Sequence, residues 1–403
     1  MILLVAVILL FVVAAMAVLA IDIVGFYTAR SEAQLAADGA ALAGARVMAN
    51  SGATSDPAVL GPIAQAAALS TASLVAQQNR VGGKLVQPSE VAVTSVGEST
   101  YNPRITVRVT RQDLPTFFAR IWGRSQITVS ASATAEVYNP SGANISLGTG
   151  GTVAPTGVKP WLLPNLSPRD GAPIFDPGGS IIDNSLVGFT WPLTARCSSC
   201  TGLLGTPIAG QYYPGAIDPD DFPVPARSLP VCSAGFTDYQ LAVAASVEKR
   251  IACGGVPEAN VQIDTNIYPG ARDADTVQAV KCLVHDRGAD GDSDSIDTLS
   301  VPSPPFQYVA GNANPVSSAV SHNVLVSDSL VTVPVYKVVG GNTTSPVQIV
   351  GFLQVFLNRT GGTMTTQATA TIVNMSGCGE TATTQPVLGT GASAIPVRLV
   401  ADP

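Results

Sequence analysis

The side chains best equipped for chemistry in this 403-residue chain are six cysteines, one run of aspartates and two isolated histidines. The cysteines are Cys197, Cys200, Cys232, Cys253, Cys282 and Cys378. Cys197-Ser198-Ser199-Cys200 has the spacing of a dithiol redox motif, which needs a strand before it and a helix after it to activate the thiols. Pro192, Gly202 and Gly205 surround it instead, so the local sequence is turn-like. A zinc site calls for a second close pair, and His285 and His322 stand alone. An even number of cysteines beyond an export signal or membrane span reads as disulfides. All six are therefore disulfide candidates, with their pairing left open.

Asp286, Asp290, Asp292, Asp294 and Asp297 crowd one segment. Asp290-Gly-Asp292-Ser-Asp294 has the alternating carboxylates of a calcium loop. The EF-hand pattern fails, because Ser295 stands where the sharp turn needs Gly and the distal Glu is missing. A solvated acidic turn is the plainer reading. The alternative is a weak, irregular Ca²⁺ site with Asp290, Asp292, Asp294 and Asp297 as oxygen donors. No other cofactor is called for. The chain has no Gly-x-Ser-x-Gly elbow, no His-Glu-x-x-His and no phosphate-cradling loop, so no catalysis is expected.

The elements that must carry these residues begin with an apolar run. Met1–Ile21 has no charged side chain and no proline. About 20 such residues span the hydrocarbon core of a bilayer, and in lipid they must be helical to pair their own backbone. A signal peptide would have a basic start and a shorter core. Ala14-Ala15-Met16-Ala17 offers a cleavage-like site, but length favours an uncleaved anchor. The missing basic start points to translation beginning upstream of Met1. Beyond Ile21 come Asp22, Tyr27, Arg30, Glu32, Gln34 and Asp38 among alanines, so the helix is expected to continue to Asn50. A rod from Met1 to Asn50 would be about 75 Å long.

Composition fits an exported, turn-rich protein. Charged residues are 12%, Gly numbers 38 and Pro 30, and the net charge is −7 without a basic cluster. That balance argues against nucleic-acid binding. Asp56-Pro57 is expected to start a second helix to about Gln78. Glu90–Val96, Arg104–Thr110 and Ile127–Val137 alternate as antiparallel strands. Pro115–Gly123 reads as a short helix carrying Phe117, Phe118, Ile121 and Trp122, either under the sheet or at the membrane interface. Asn139–Val158 is a Gly/Ser/Thr/Pro-rich linker. Beyond it, Ser180–Val187, Val324–Val339, Gln348–Leu357 and Thr366–Val373 are apolar runs of a β-rich unit, with helices over Asp238–Ile251 and Ala274–Val284.

The stretch Ala20-Ile21-Asp22-Ile23-Val24-Gly25-Phe26-Tyr27, then Arg30, then Gln34-Leu35-Ala36-Ala37-Asp38-Gly39-Ala40-Ala41-Leu42-Ala43-Gly44-Ala45 resembles the start of Tad-type (Flp) pilus-assembly proteins, nearest the TadE/TadG-like group. Val107–Val109, Pro115–Arg120 and Val129–Ala135 resemble the same proteins more weakly, so the resemblance covers about the first 140 residues. Gly157–Trp161 is a loose further match. The family's basic cytoplasmic flank is absent. So are the Gly and acidic residue that prepilin-type processing needs around the apolar run, and the Asp-x-Ser-x-Ser motif of TadG-like von Willebrand-type domains.

The resemblance and the residues together imply an α+β chain. A transmembrane helix (1–25) extends into a pilin-like domain with a small antiparallel sheet (26–138). A linker (139–158) then leads to a β-rich, disulfide-containing extracytoplasmic domain (159–403). The implied role is a minor pilin-like structural or assembly component, a single-pass envelope protein whose partners are membrane lipid and other pilin-like subunits or assembly proteins. The alternative is a membrane-tethered binding or adhesion module of unknown small-molecule ligand. Asp22, Tyr27, Ala37, Ala41 and Gly44 are the expected assembly-helix residues. Asp22 lies either among headgroups or against a neighbouring subunit. The small residues serve either close approach between subunits or packing within the chain.

Overall fold

The computed structural model describes residues 2–96, 103–116, 123, 125–137, 158–177, 179–196, 205–216, 235–244, 251, 262–263, 269–284, 296–301, 303–311, 323–324, 327–341, 346–358, 367–378, 395 and 397–400. One helix, α1, runs Ile2–Ala49 without a break. Its 48 residues make a rod of about 72 Å. No proline falls within it, and its alanines carry the highest helix propensity.

The second helix, α2 (Leu60–Gln77), starts a turn later than its Asp56-Pro57 signal suggests. Asp56 still caps it, accepting from Leu60 N–H through its carbonyl at 2.8 Å and from Val59 N–H through its carboxylate at 3.3 Å. On α2, Gly61, Ala64, Ala68, Ala72 and Ala76 are buried. That four-residue spacing lays one smooth small-residue edge against α1.

Against the helix pair lies a sheet in the order β15-β5-β4-β3. Its strands are β3 (Val91–Val96), β4 (Arg104–Pro115), β5 (Gln126–Val137) and β15 (Val397–Val400), all antiparallel. Ile105, Val107 and Val109 are buried while Arg104 and Arg108 face out, as alternation demands. Two findings differ from the sequence reading. Strand β4 continues through Pro115, which closes a strand where a helix start was expected, and residues 117–122 lie outside the described residues. The fourth strand comes from the far end of the chain. Val397 pairs with Val137 and Leu399 with Ala135. Glu136, 3% exposed, clasps the join by accepting from Arg398 at 2.9 Å and from Arg104 at 3.2 Å. The last strand thus completes the first unit's sheet. A small hairpin, β1 (Arg80–Val81) and β2 (Lys84–Leu85), hangs beside α1.

The second unit is a closed barrel in the order β12-β13-β14-β7-β8-β6. The strands are β6 (Trp161–Pro164), β7 (Thr190–Ala195), β8 (Gln211–Pro214), β12 (Leu330–Tyr336), β13 (Ile349–Asn358) and β14 (Ala368–Gly377). Parallel pairings of β6 with β12 and β7 with β8 complete the ring. Val331, Val333, Val335, Leu353, Val355 and Leu357 share one core with Trp161 and Trp191. Phe352 and Phe356, on the other side of β13, belong to separate clusters. Both barrel faces are therefore covered, which is why β13 is buried almost throughout. Helices α3 (Asp238–Ala244) and α4 (Pro269–Leu283) pack on the barrel. Strands β9 (Thr298–Val301), β10 (Gln307–Val309) and β11 (Asn323–Val324) form a side sheet. Of the expected linker, only Val158 is described, and it is buried.

Candidate functional site

α1 changes character along its length, and that change defines the site. From Leu4 to Val13 every described side chain is exposed, including Leu4 at 64%, Leu10 at 74% and Phe11 at 74%. The exposure runs all round the helix rather than along one stripe. A rod that is apolar on every side has no face suited to water. Taken over the described residues, no helix is long and apolar enough to cross a membrane.

From Ala29 onward the helix is two-sided. Ala29, Ala33, Ala36, Ala37, Ala40, Ala41 and Ala45 are buried in one core with α2 and the sheet. Gly44 is the tightest point. A Cβ there would stand 2.5 Å from Ile105 Cδ1, 3.0 Å from the Ala68 carbonyl oxygen and 3.1 Å from Ala72 Cβ. Ala37, Ala41 and Gly44 thus pack within the chain. The surface left for a neighbour is the opposite face, with Val24 at 64%, Tyr27 at 71% and Leu35 at 68% exposure, beside the exposed Ser31 and Gly39. Tyr27 belongs to that outer face.

Asp22 lies on the covered side. It is 4% exposed, while Ile21, Ile23 and Val24 around it are open, and it has an interaction partner within the chain. Its carboxylate is sheltered by protein rather than presented outward. Further along, Glu32 Oε2 accepts from Gly82 N–H at 2.7 Å and fastens the β1–β2 turn to α1. Gln34 donates to Asp38 at 2.7 Å and to the Ser132 carbonyl at 3.2 Å, tying α1 to β5.

The loop after α1 plugs into the second unit. Asn50 to Ser55 are all buried. Asn374 on β14 donates to the Ala49 carbonyl and, at 3.0 Å, to Thr54 Oγ1. Ser55 Oγ donates to Asn374 Oδ1 and accepts from Met375 N–H at 2.8 Å. Tyr308 OH donates to the Asn50 carbonyl at 3.0 Å, and its burial pushes the phenol pKa up. Gly52, at φ +73°, turns the chain against Val187 and the Val373 carbonyl. This polar latch joins the two units, and no local motif announced it. Its partners lie about 320 residues apart.

The residues singled out for chemistry are scattered. Asp290, Asp292 and Asp294 lie outside the described residues. Asp297 is buried at 2% exposure, with Oδ1 accepting from Gly311 N–H at 3.0 Å and Oδ2 from Ser327 Oγ at 2.6 Å. It is therefore a buried hydrogen-bond centre rather than part of a solvated turn. Among the described residues no cluster of metal-ligating side chains occurs. Cys197, Cys200, Cys232 and Cys253 lie outside the described residues, as do His285 and His322. Cys282, buried on α4, and Cys378, just past β14, are disulfide-bonded, and no described cysteine is free.

Inside the barrel, Tyr212 OH and Tyr239 OH share Thr276 Oγ1 at 2.6 and 2.8 Å, and Trp161 Nε1 donates to Tyr239 OH at 3.2 Å. Burial raises the Tyr212 pKa well above its ordinary value. A buried, mutually bonded hydroxyl set of this kind fixes a core. Lys159 is buried at 4% exposure, and burial pulls its pKa down to about 8 against the opposing pull of Asp328.

No curated protein and no solved structure matches the chain. Among protein families, residues 1–47, which are α1 almost to its end, match the family described as "Putative Flp pilus-assembly TadE/G-like".

Proposed function

We propose that this protein is a non-catalytic, minor pilin-like component of a Tad/Flp-type pilus apparatus, anchored by α1 with its barrel on the extracytoplasmic side. The family match over residues 1–47 supports a role in pilus assembly. The observation that carries the finer reading is the unbroken α1. One rigid element is apolar and open on all sides at its start, and is the spine of a folded domain at its end. An exposed apolar stretch of that kind calls for lipid or neighbouring helices as its surroundings. The outer face of Val24, Tyr27 and Leu35 is the surface offered to other pilin-like subunits. Disulfides would staple the barrel unit in an oxidising compartment.

The test is to shear surface appendages from expressing cells and blot them beside washed membranes, with and without the pilus machinery. Recovery in sheared fibres only with intact machinery supports a subunit. Retention in membranes regardless of the machinery overturns that role and favours the alternative, a tethered binding module.

A further inference from the structure

We infer that the bilayer boundary lies at Tyr27–Arg30, past Asp22, so that the folded domain sits directly on the lipid headgroups. This inference rests on the anchor reading above. By sequence alone the boundary belongs at Asp22, the first charge in the chain. The structure removes that reason. Asp22 is 4% exposed and partnered within the protein, so its charge does not face the surroundings of the helix. An acid sheltered this way is compatible with membrane depth, where ionisable groups occur only when protein covers them.

What α1 does present at this level is apolar. Ile21 (57%), Ile23 (44%), Val24 (64%) and Tyr27 (71%) are open, and at 100° per residue they cover most of the circumference not taken by Asp22. A partner helix would need one stripe, whereas a collar this wide fits a surrounding solvent of lipid. The first exposed charge is Arg30, one turn after Tyr27. An aromatic ring followed by a cation is the order of a membrane–water interface. From Leu4 to Tyr27 the helix rises about 36 Å, enough to cross a hydrocarbon core of about 30 Å with Tyr27 at headgroup level.

The folded domain begins at once. The Glu32–Gly82 hydrogen bond holds the β1–β2 hairpin two residues beyond Arg30. That hairpin carries exposed Arg80, Lys84 and Leu85, with Lys84 paired to Asp113 at 2.7 Å. The collar therefore has little net charge, and the occupant is a bilayer surface in general rather than an anionic one in particular.

The experiment is cysteine labelling of the full chain in phosphatidylcholine vesicles with a water-soluble maleimide. Leu10→Cys, Val24→Cys, Tyr27→Cys and Leu35→Cys all fall on exposed positions, so the fold is not at issue, and the unsubstituted chain gives the background. Only the thiolate reacts, and hydrocarbon keeps a thiol protonated, so lipid-covered sites should label at least about tenfold more slowly. Slow labelling at 10, 24 and 27 with fast labelling at 35 is expected. Protection at 10 with fast labelling at 24 and 27 returns the boundary to Asp22 and overturns this inference while sparing the anchor. Fast labelling at 10 overturns both.

Discussion

Gly39 and Gly44 sit five residues apart on the same helix, and the structure predicts that the same substitution has opposite signs at the two. Alanine gains about 1 kcal/mol over glycine in a helix interior, because the chain loses less freedom on folding. At Gly39, which is exposed, a Cβ would meet nothing within 4 Å. Gly39→Ala should therefore stabilise by about 1 kcal/mol. At Gly44 the same methyl would press on Ile105 Cδ1 at 2.5 Å, Ala68 O at 3.0 Å and Ala72 Cβ at 3.1 Å. The isoleucine terminus can swing aside, but the α2 backbone must shift. Overpacking of this kind costs about 1–3 kcal/mol. Set against the propensity gain, Gly44→Ala should come out about 0–2 kcal/mol destabilised. The assay is thermal unfolding of the full chain in detergent, where each kcal/mol moves the midpoint by about 2–4 °C for units of this size. A rise at position 39 and a fall at position 44 are expected. If Gly44→Ala raised the midpoint as Gly39→Ala does, the α1–α2–β4 contact would be looser than described. Gly44 would then be open to a neighbouring subunit.

Asn374→Ala should cost about 2–4 kcal/mol by leaving Ala49 O and Ser55 Oγ without their buried partner. Limited proteolysis should then cut first within residues 50–55, and unchanged resistance would refute the latch. Glu136→Gln weakens the clasp on β15. Because Arg398 and Arg104 are partly exposed, the loss should be about 1–3 kcal/mol, discounted from a fully buried pair. Amide exchange over 397–400 should rise before the rest of the sheet, and uniform protection would count against the clasp. Lys159 titrates at about 8 in the fold and near 10.4 unfolded. Between those values the unfolded chain binds more protons, so this group adds stability as pH rises from 8 to 10. Below pH 8 the buried charge costs about 3 kcal/mol. Lys159→Met should therefore unfold later than the parent at pH 7, with the gap closing by pH 10.

Much of the first unit was legible because its elements carry their own periodicity. The alternation of Arg104–Thr110 and Ile127–Val137 marked β4 and β5, and the alanine pattern of 28–50 marked the second part of α1. What periodicity cannot supply is the partner. Ala37, Ala41 and Gly44 have the right size to approach any helix closely, and only the fold shows that α2 and Ile105 take that space. β15 was visible only as a Thr/Ala/Pro/Val-rich tail, since pairing with β5 is a contact across about 260 residues. Closure of the barrel was hidden for a related reason. β6, β7 and β8 are short, four to six residues each, and their Trp and Tyr residues read as isolated aromatics until the ring assembles them. Asp297 looked like one of five loop acids, and its burial follows from Ser327 and Gly311, which no spacing rule connects to it.

The latch at Asn374 gives the long helix mechanical meaning. A helix that ended in a free loop would let the barrel swing, and force on α1 would dissipate in that loop. Here the six residues after α1 are buried, and their backbone carbonyls and hydroxyls are held by β14 and by Tyr308. The C-terminal strand adds a second tie, because the chain leaves the barrel to close the edge of the first sheet. Two joins at separate points resist rotation where one would act as a pivot. Helix, sheet and barrel then transmit displacement as one body, which suits a component whose helix is embedded and whose head stands outside. The argument makes a discriminating demand. Asn374→Ala and removal of 395–400 should each loosen the barrel against α1, and together they should free it. Spin labels on Leu35 and Val339 would report this as a distance distribution that broadens modestly with either change and strongly with both. A narrow distribution in the doubly altered chain would mean that some other contact carries the load.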